Sequence, residues 1–137
     1  MEPRKESQER KHQEWNRFIS ELPHICKLEI KRCILIAEAI VIELHEFCDA
    51  SELAYGAVVY CKSVSQYGEV VKRLVTSNSR ISPIKQVAIP RLELCAAVLL
   101  AKLMTRVISA LKLNTNNVFF WSDSMIVLSW LQKEPAV

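Results

Sequence analysis

The chain carries fifteen acidic side chains, yet only two of them are aspartates, Asp49 and Asp123. Glu93 lies between them in the chain. Carboxylates brought together from separate elements repel and raise one another's pKa, so a site built from them ordinarily holds a hard divalent cation. Two such ions about 4 Å apart activate a water and stabilise the leaving oxygen of a phosphodiester. Each residue also has a plainer reading. Asp49, before Ala50-Ser51, suits a turn or cap, Glu93 suits the positive end of a helix, and Asp123 suits the N-cap of a last helix.

For the three to meet, the elements around them must converge. Val41–Cys48, Ala54–Lys62 and Glu69–Ser77 read as three strands joined by short turn-forming segments, as in an antiparallel meander. Ser77–Ile89 reads as a polar, basic loop. Pro90 then opens the strongest helix, whose apolar positions Leu92, Cys95, Ala96, Leu99, Leu103 and Val107 recur at helical spacing, with Leu111 continuing them. Glu93 falls in its expected first turn, and the helix is predicted to end near Leu113-Asn114. Asn117–Ser122 reads as a fourth strand and Ser124–Leu131 as a last helix. A helix between the third and fourth strands permits a crossover that lays the fourth parallel to the first. Asp49 and Asp123 then reach the same sheet edge, with Glu93 above them. Gly56, one of only two glycines, sits on the strand beside Asp49, where a missing side chain admits another backbone or a ligand.

The N-terminal part differs. Residues 2–14 are almost wholly polar, and Trp15, Phe18, Ile19 and Leu22 then form one apolar helical stripe predicted to stop at Pro23. Residues 25–40 fit neither period and read as a connector. The expected organisation is an N-terminal helix and connector over 1–40 and an α/β domain over 41–137.

Composition bounds the remaining choices. Half of the 137 residues are hydrophobic and 24% are charged, which excludes disorder as the general state. The N-terminus mixes both charge signs and leads into no apolar h-region, so no secretory signal is read, and the apolar runs are too short or too acidic for a membrane span. An intracellular setting, cytoplasm or nucleus, is expected. Five cysteines with no C-x-x-C pair predict free, buried thiols. His24 with Cys26 and His45 with Cys48 lack the second pair that a tetrahedral metal site needs. From Lys62 to Arg91 six basic residues face Glu69 alone, a concentration that suits a phosphate backbone and equally a solvated surface. Trp121 and Trp130 could stack on bases, although the helical spacing of Trp130 also suits a core position.

Four runs carry a resemblance: Leu44-His45-Glu46-Phe47-Cys48-Asp49-Ala50-Ser51, Ala54-Tyr55-Gly56-Ala57-Val58-Val59-Tyr60, Ile89-Pro90-Arg91-Leu92-Glu93-Leu94-Cys95-Ala96-Ala97 and Trp121-Ser122-Asp123-Ser124. Together they resemble the ribonuclease H-like region of BEL/Pao retrotransposon Pol polyproteins, also catalogued under the Pao retrotransposon peptidase name. The similarity runs from about Trp15 to Val137. It implies an α/β ribonuclease H-like mixed sheet of order 3-2-1-4 flanked by helices, with a fifth strand and a C-terminal helix bearing a fourth carboxylate falling beyond the chain; Glu134 is the one acid left after Asp123. It further implies that Asp49, Glu93 and Asp123 are catalytic metal ligands for Mg²⁺, or Mn²⁺, in hydrolysis of the RNA strand of an RNA–DNA hybrid. Residues 2–40 would resemble the end of the connection that joins polymerase to nuclease. Ser51, Arg80, Lys85, Arg91 and Ser124 are the expected nucleic-acid contacts. Reverse transcriptase and other Pol segments are the expected partners, and the apolar fourth strand, left at an edge, is expected to self-associate. Glu46 stands where relatives usually have glycine. A catalytically inactive remnant acting as a nucleic-acid-binding or interaction module is the alternative.

Overall fold

The structure, a computed structural model, describes residues 3–133 and divides the chain into two compact units, Met1–Ile30 and Lys31–Val137. Helix α1, Pro3–Ile25, makes up most of the first unit. It runs through Pro23 instead of stopping there, because a missing N–H within the last turn removes only one bond from the end of the ladder. Arg17 donates from Nε to Glu21 Oε1 at 3.0 Å, one turn apart. The apolar stripe is open to solvent, with Trp15 58% and Phe18 52% exposed.

The second unit contains β1 (Ala39–Ala50), β2 (Ala54–Ser65), β3 (Val70–Ile81), α2 (Ile89–Leu111), β4 (Asn117–Trp121) and α3 (Met125–Gln132). The sheet is ordered β3-β2-β1-β4, with β1 antiparallel to β2, β2 antiparallel to β3, and β4 parallel to β1. This is the mixed sheet expected from the sequence. Its strands are longer than local composition suggests. Ser79-Arg80-Ile81 has a loop-like composition but pairs with Gly56-Tyr55-Ala54, so the predicted basic loop shrinks to 82–88 and Arg80 stands on a strand. The β2–β3 turn needs positive φ, which Gly68 supplies at 81° while Ser65 Oγ accepts from the Tyr67 and Glu69 N–H groups.

The two faces of the sheet differ. Leu44 and Cys48 of β1 and Ala57, Val59 and Cys61 of β2 are buried on one face, beneath α2. By length and composition alone α2 is long and apolar enough to cross a bilayer, which corrects the expectation that every apolar run is too short or too acidic for one. Its Leu92, Ala96, Leu99, Leu100, Leu103 and Val107 join the core, as do Ala97 and Met104. Val127 anchors α3 to the same cluster. Cys95 lies off the flank of this stripe and is exposed, as are Cys26 and Cys33; only Cys48 and Cys61 are the buried thiols expected of all five. Trp130, a candidate core residue, is 42% exposed.

The connector contributes to the second unit from Lys31 onward. Ile34 and Leu35 pack against the core, and the Ile36 N–H donates to the buried Ser63 Oγ at 3.0 Å. At the same end of β1, Asn116 fixes the parallel pair: its N–H donates to the Ile42 carbonyl at 2.8 Å and its Oδ1 accepts from the Ile42 N–H at 2.9 Å. The asparagine side chain thereby extends the β1–β4 ladder by one rung.

Candidate active-site groove

The register of β1 on β4 positions the aspartates. Phe47 lies opposite Trp121, where the pairing ends, two residues before Asp49 on one strand and Asp123 beyond the other. Both line one open groove of about 730 Å³ at the C-terminal ends of the two strands, together with Ser51, Gly56 and Trp121. No lysine or arginine lines it among the described residues. Asp49 Oδ1 accepts from the Ala50 N–H at 2.8 Å, a local bond that leaves its other oxygen uncommitted. Asp123 is not the cap of the last helix. That position is held by Ser124, whose Oγ accepts from the Val127 N–H at 3.2 Å, so the aspartate stays available to the groove.

Glu93 is placed differently from expectation. α2 begins at Ile89, with Pro90 in its first turn, so Glu93 opens the second turn and loses the dipole role assigned to it. Its Oε2 accepts from Ser124 Oγ at 2.5 Å, which holds the carboxylate one residue along the chain from Asp123 but outside the lining of the groove. Among the described residues, no three His, Cys, Asp or Glu side chains stand close enough together to hold a metal ion. Glu134 lies outside the described residues.

The thiol beneath the groove senses the same charges. Burial pushes Cys48 up to about 11; the charges of Glu46, Asp49 and Asp123 act in the same direction, and a hydrogen bond with Ser122 opposes them. Glu46 was not a sequence candidate. It lies on the helix-facing side of β1, between Leu44 and Cys48, where burial raises its carboxyl and Oε2 has no hydrogen-bond partner. Alternation along β1 contains the signal, since the even positions face the core and a glutamate among them is a polar intruder.

The expected nucleic-acid contacts are dispersed. Ser51 lines the groove but is engaged in its own turn, donating to the Ala54 carbonyl and accepting from the Leu53 N–H. Ser124 is buried between Glu93 and α3. Arg80, Lys85 and Arg91 are exposed on a strand, a loop and a helix start, and none lines the groove. Gly56 is opposite Asp49; a Cβ there would meet Asn78 O at 3.5 Å, an ordinary contact, so the strand itself does not demand glycine. The missing side chain widens the groove.

A mixed 3-2-1-4 sheet with α2 crossing between its antiparallel and parallel parts, and two strand-end aspartates in a common groove, defines a ribonuclease H-like α/β domain. The family model for the Pao retrotransposon-like RNaseH-like domain matches residues 3–124, and the chain belongs to that family. The match includes α1 as well as the sheet and α2. No curated protein and no solved structure matches the chain.

Proposed function

We propose that this retrotransposon ribonuclease H-like domain hydrolyses the RNA strand of an RNA–DNA hybrid with Mg²⁺, or Mn²⁺ in its place. The observation that carries this reading is the groove shared by Asp49 and Asp123, with no lysine or arginine among the described residues that line it. Paired hard carboxylate donors of this kind suit a hard divalent cation. Asp49 and Asp123 would hold it, while Glu93, bonded to Ser124, stands outside the groove. Bound there, such an ion would supply an activated water and charge stabilisation for the departing oxygen.

The protein's own groups do the rest. Ser124 restrains the Glu93 carboxylate and at the same time caps α3, so the helix start and the third acid are fixed together. Trp121 and Phe47 border the groove with apolar surface. Arg80, Lys85 and Arg91 would meet backbone phosphates at a distance from the acids, with recognition resting on duplex shape and 2′-hydroxyls. In a full-length element, reverse transcriptase and the other Pol segments would be the neighbouring partners.

A labelled RNA–DNA hybrid tests the reading. The chain should cleave it with Mg²⁺ but not with EDTA, and Asp49→Asn should reduce cleavage to background while leaving the circular dichroism spectrum unchanged. One observation favours a second reading: Glu93 is bonded to Ser124 and stands outside the groove. A folded wild-type chain that binds the hybrid without cutting it would establish that reading, a nucleic-acid-binding module without turnover, and sink the first.

A further inference from the structure

A line of hydrogen bonds ties the wall of the aspartate groove to a charged pair on the β1–β2 ladder. The Trp121 indole N–H donates to His45 Nδ1 at 3.1 Å. On its other side His45 Nε2 stands 3.0 Å from Glu43 Oε2, an oxygen that Lys62 Nζ also reaches at 3.3 Å. Two independent constraints fix the imidazole proton. An indole nitrogen can only donate, so Nδ1 must accept. An ionised carboxylate can only accept, so Nε2 must donate. The His45 hydrogen bond first, and Lys62 after it, hold the Glu43 carboxyl below its ordinary value against some desolvation, so it is ionised at neutral pH. The His45 and Glu43 side chains are only 19% and 17% exposed, and Phe119 stacks on the imidazole at 4.8 Å, which leaves water little room to replace either partner.

We propose that His45 is a positioning residue for Trp121, holding the indole at the wall of the aspartate groove only while the imidazole is neutral. Trp121 lines that groove with Asp49 and Asp123 and is 50% exposed, so its ring has room to turn. A proton added to His45 can go only to Nδ1, the nitrogen that accepts from Trp121. Two N–H donors then face each other, and the indole has lost its partner. The groups that set the pH of this change share one face of the sheet by alternation. Glu43 of β1 favours the imidazolium, with Asp49 and Asp123 at the groove acting the same way from further off. Lys62 of β2 opposes it, with Lys72 behind it on β3. Tyr60 of β2 lies opposite His45, and β4 adds Phe119 and Trp121, neither of them ionisable. The inference requires neither a metal ion nor cleavage.

Two-dimensional NMR of the isotope-labelled full chain tests it, following the indole and imidazole resonances from about pH 8 to about pH 5, the range in which imidazoles change charge. Trp121→Phe identifies the Trp121 indole peak. In the wild-type chain that peak should move with the same midpoint as the His45 ring nitrogens. His45→Phe keeps a ring but no acceptor, so the Trp121 peak should sit near its acid position at every pH while the backbone amide peaks of the sheet are retained. Glu43→Gln removes the charge that favours the imidazolium, and the shared midpoint should fall by about 1 in pH. This second variant decides the matter even where His45→Phe fails to fold. A wild-type Trp121 peak that keeps still across the range, one that titrates unchanged in a folded His45→Phe chain, or a midpoint that Glu43→Gln leaves in place would overturn the proposal. A chain that titrates as expected yet cleaves no hybrid leaves this inference standing and removes only the nuclease reading.

Discussion

Glu46 is a carboxylate placed among core residues, with one oxygen unpartnered and its pKa raised by burial. The folded state holds that proton more tightly than the unfolded chain does. Its contribution to stability is therefore fullest below the unfolded pKa and is lost as pH rises through the folded one. Glu46→Gln should accordingly raise stability at pH 7 by about 1 kcal/mol in urea denaturation, and the advantage should vanish below about pH 4. The two buried thiols behave in a related way. Burial raises both Cys48 and Cys61, so neither offers thiolate at neutral pH. A thiol reagent such as DTNB should modify Cys26, Cys33 and Cys95 promptly, and Cys48 and Cys61 only after unfolding. Rapid native labelling of all five would contradict the burial described.

The core depends on α2 more than on any other single element. Leu100 is 1% exposed on its buried face, so Leu100→Ala should cost about 2–5 kcal/mol, read from the urea midpoint at unchanged m-value. The element order and the parallel β1–β4 pair are legible in the sequence because alternation, Pro90 and the long apolar stripe all favour the same crossover. Element ends are less legible. Ser79-Arg80-Ile81 is a strand because β2 offers partners, and no local property of those three residues announces it. The site divides in the same way. Asp49 and Asp123 are legible as strand-end acids, whereas the Ser124–Glu93 bond joins residues 31 positions apart and the Trp121–His45 bond residues 76 apart. Contacts of that range depend on register, which composition does not encode.

At the scale of the whole chain, the two units make separate predictions. The second unit begins at Lys31 and includes Ile34, Leu35 and the Ile36–Ser63 hydrogen bond. A fragment spanning residues 31–137 should therefore keep a cooperative thermal transition and mixed α/β circular dichroism. A fragment that starts at residue 41 removes those contacts and should melt at lower temperature; equal melting temperatures would show that the connector contributes nothing. The Asn116 rung has a consequence for the same unit. It lies about 20 Å from the aspartates, at the opposite end of β1. A slip of one residue there would turn Trp121 and Phe119 to the opposite face and carry Asp123 out of step with Asp49. The groove is thus aligned remotely, like a drawer kept square by its far runner. Sequence drift in the short link from α2 to β4 would be felt first as misalignment of the acid pair, well before any loss of the fold.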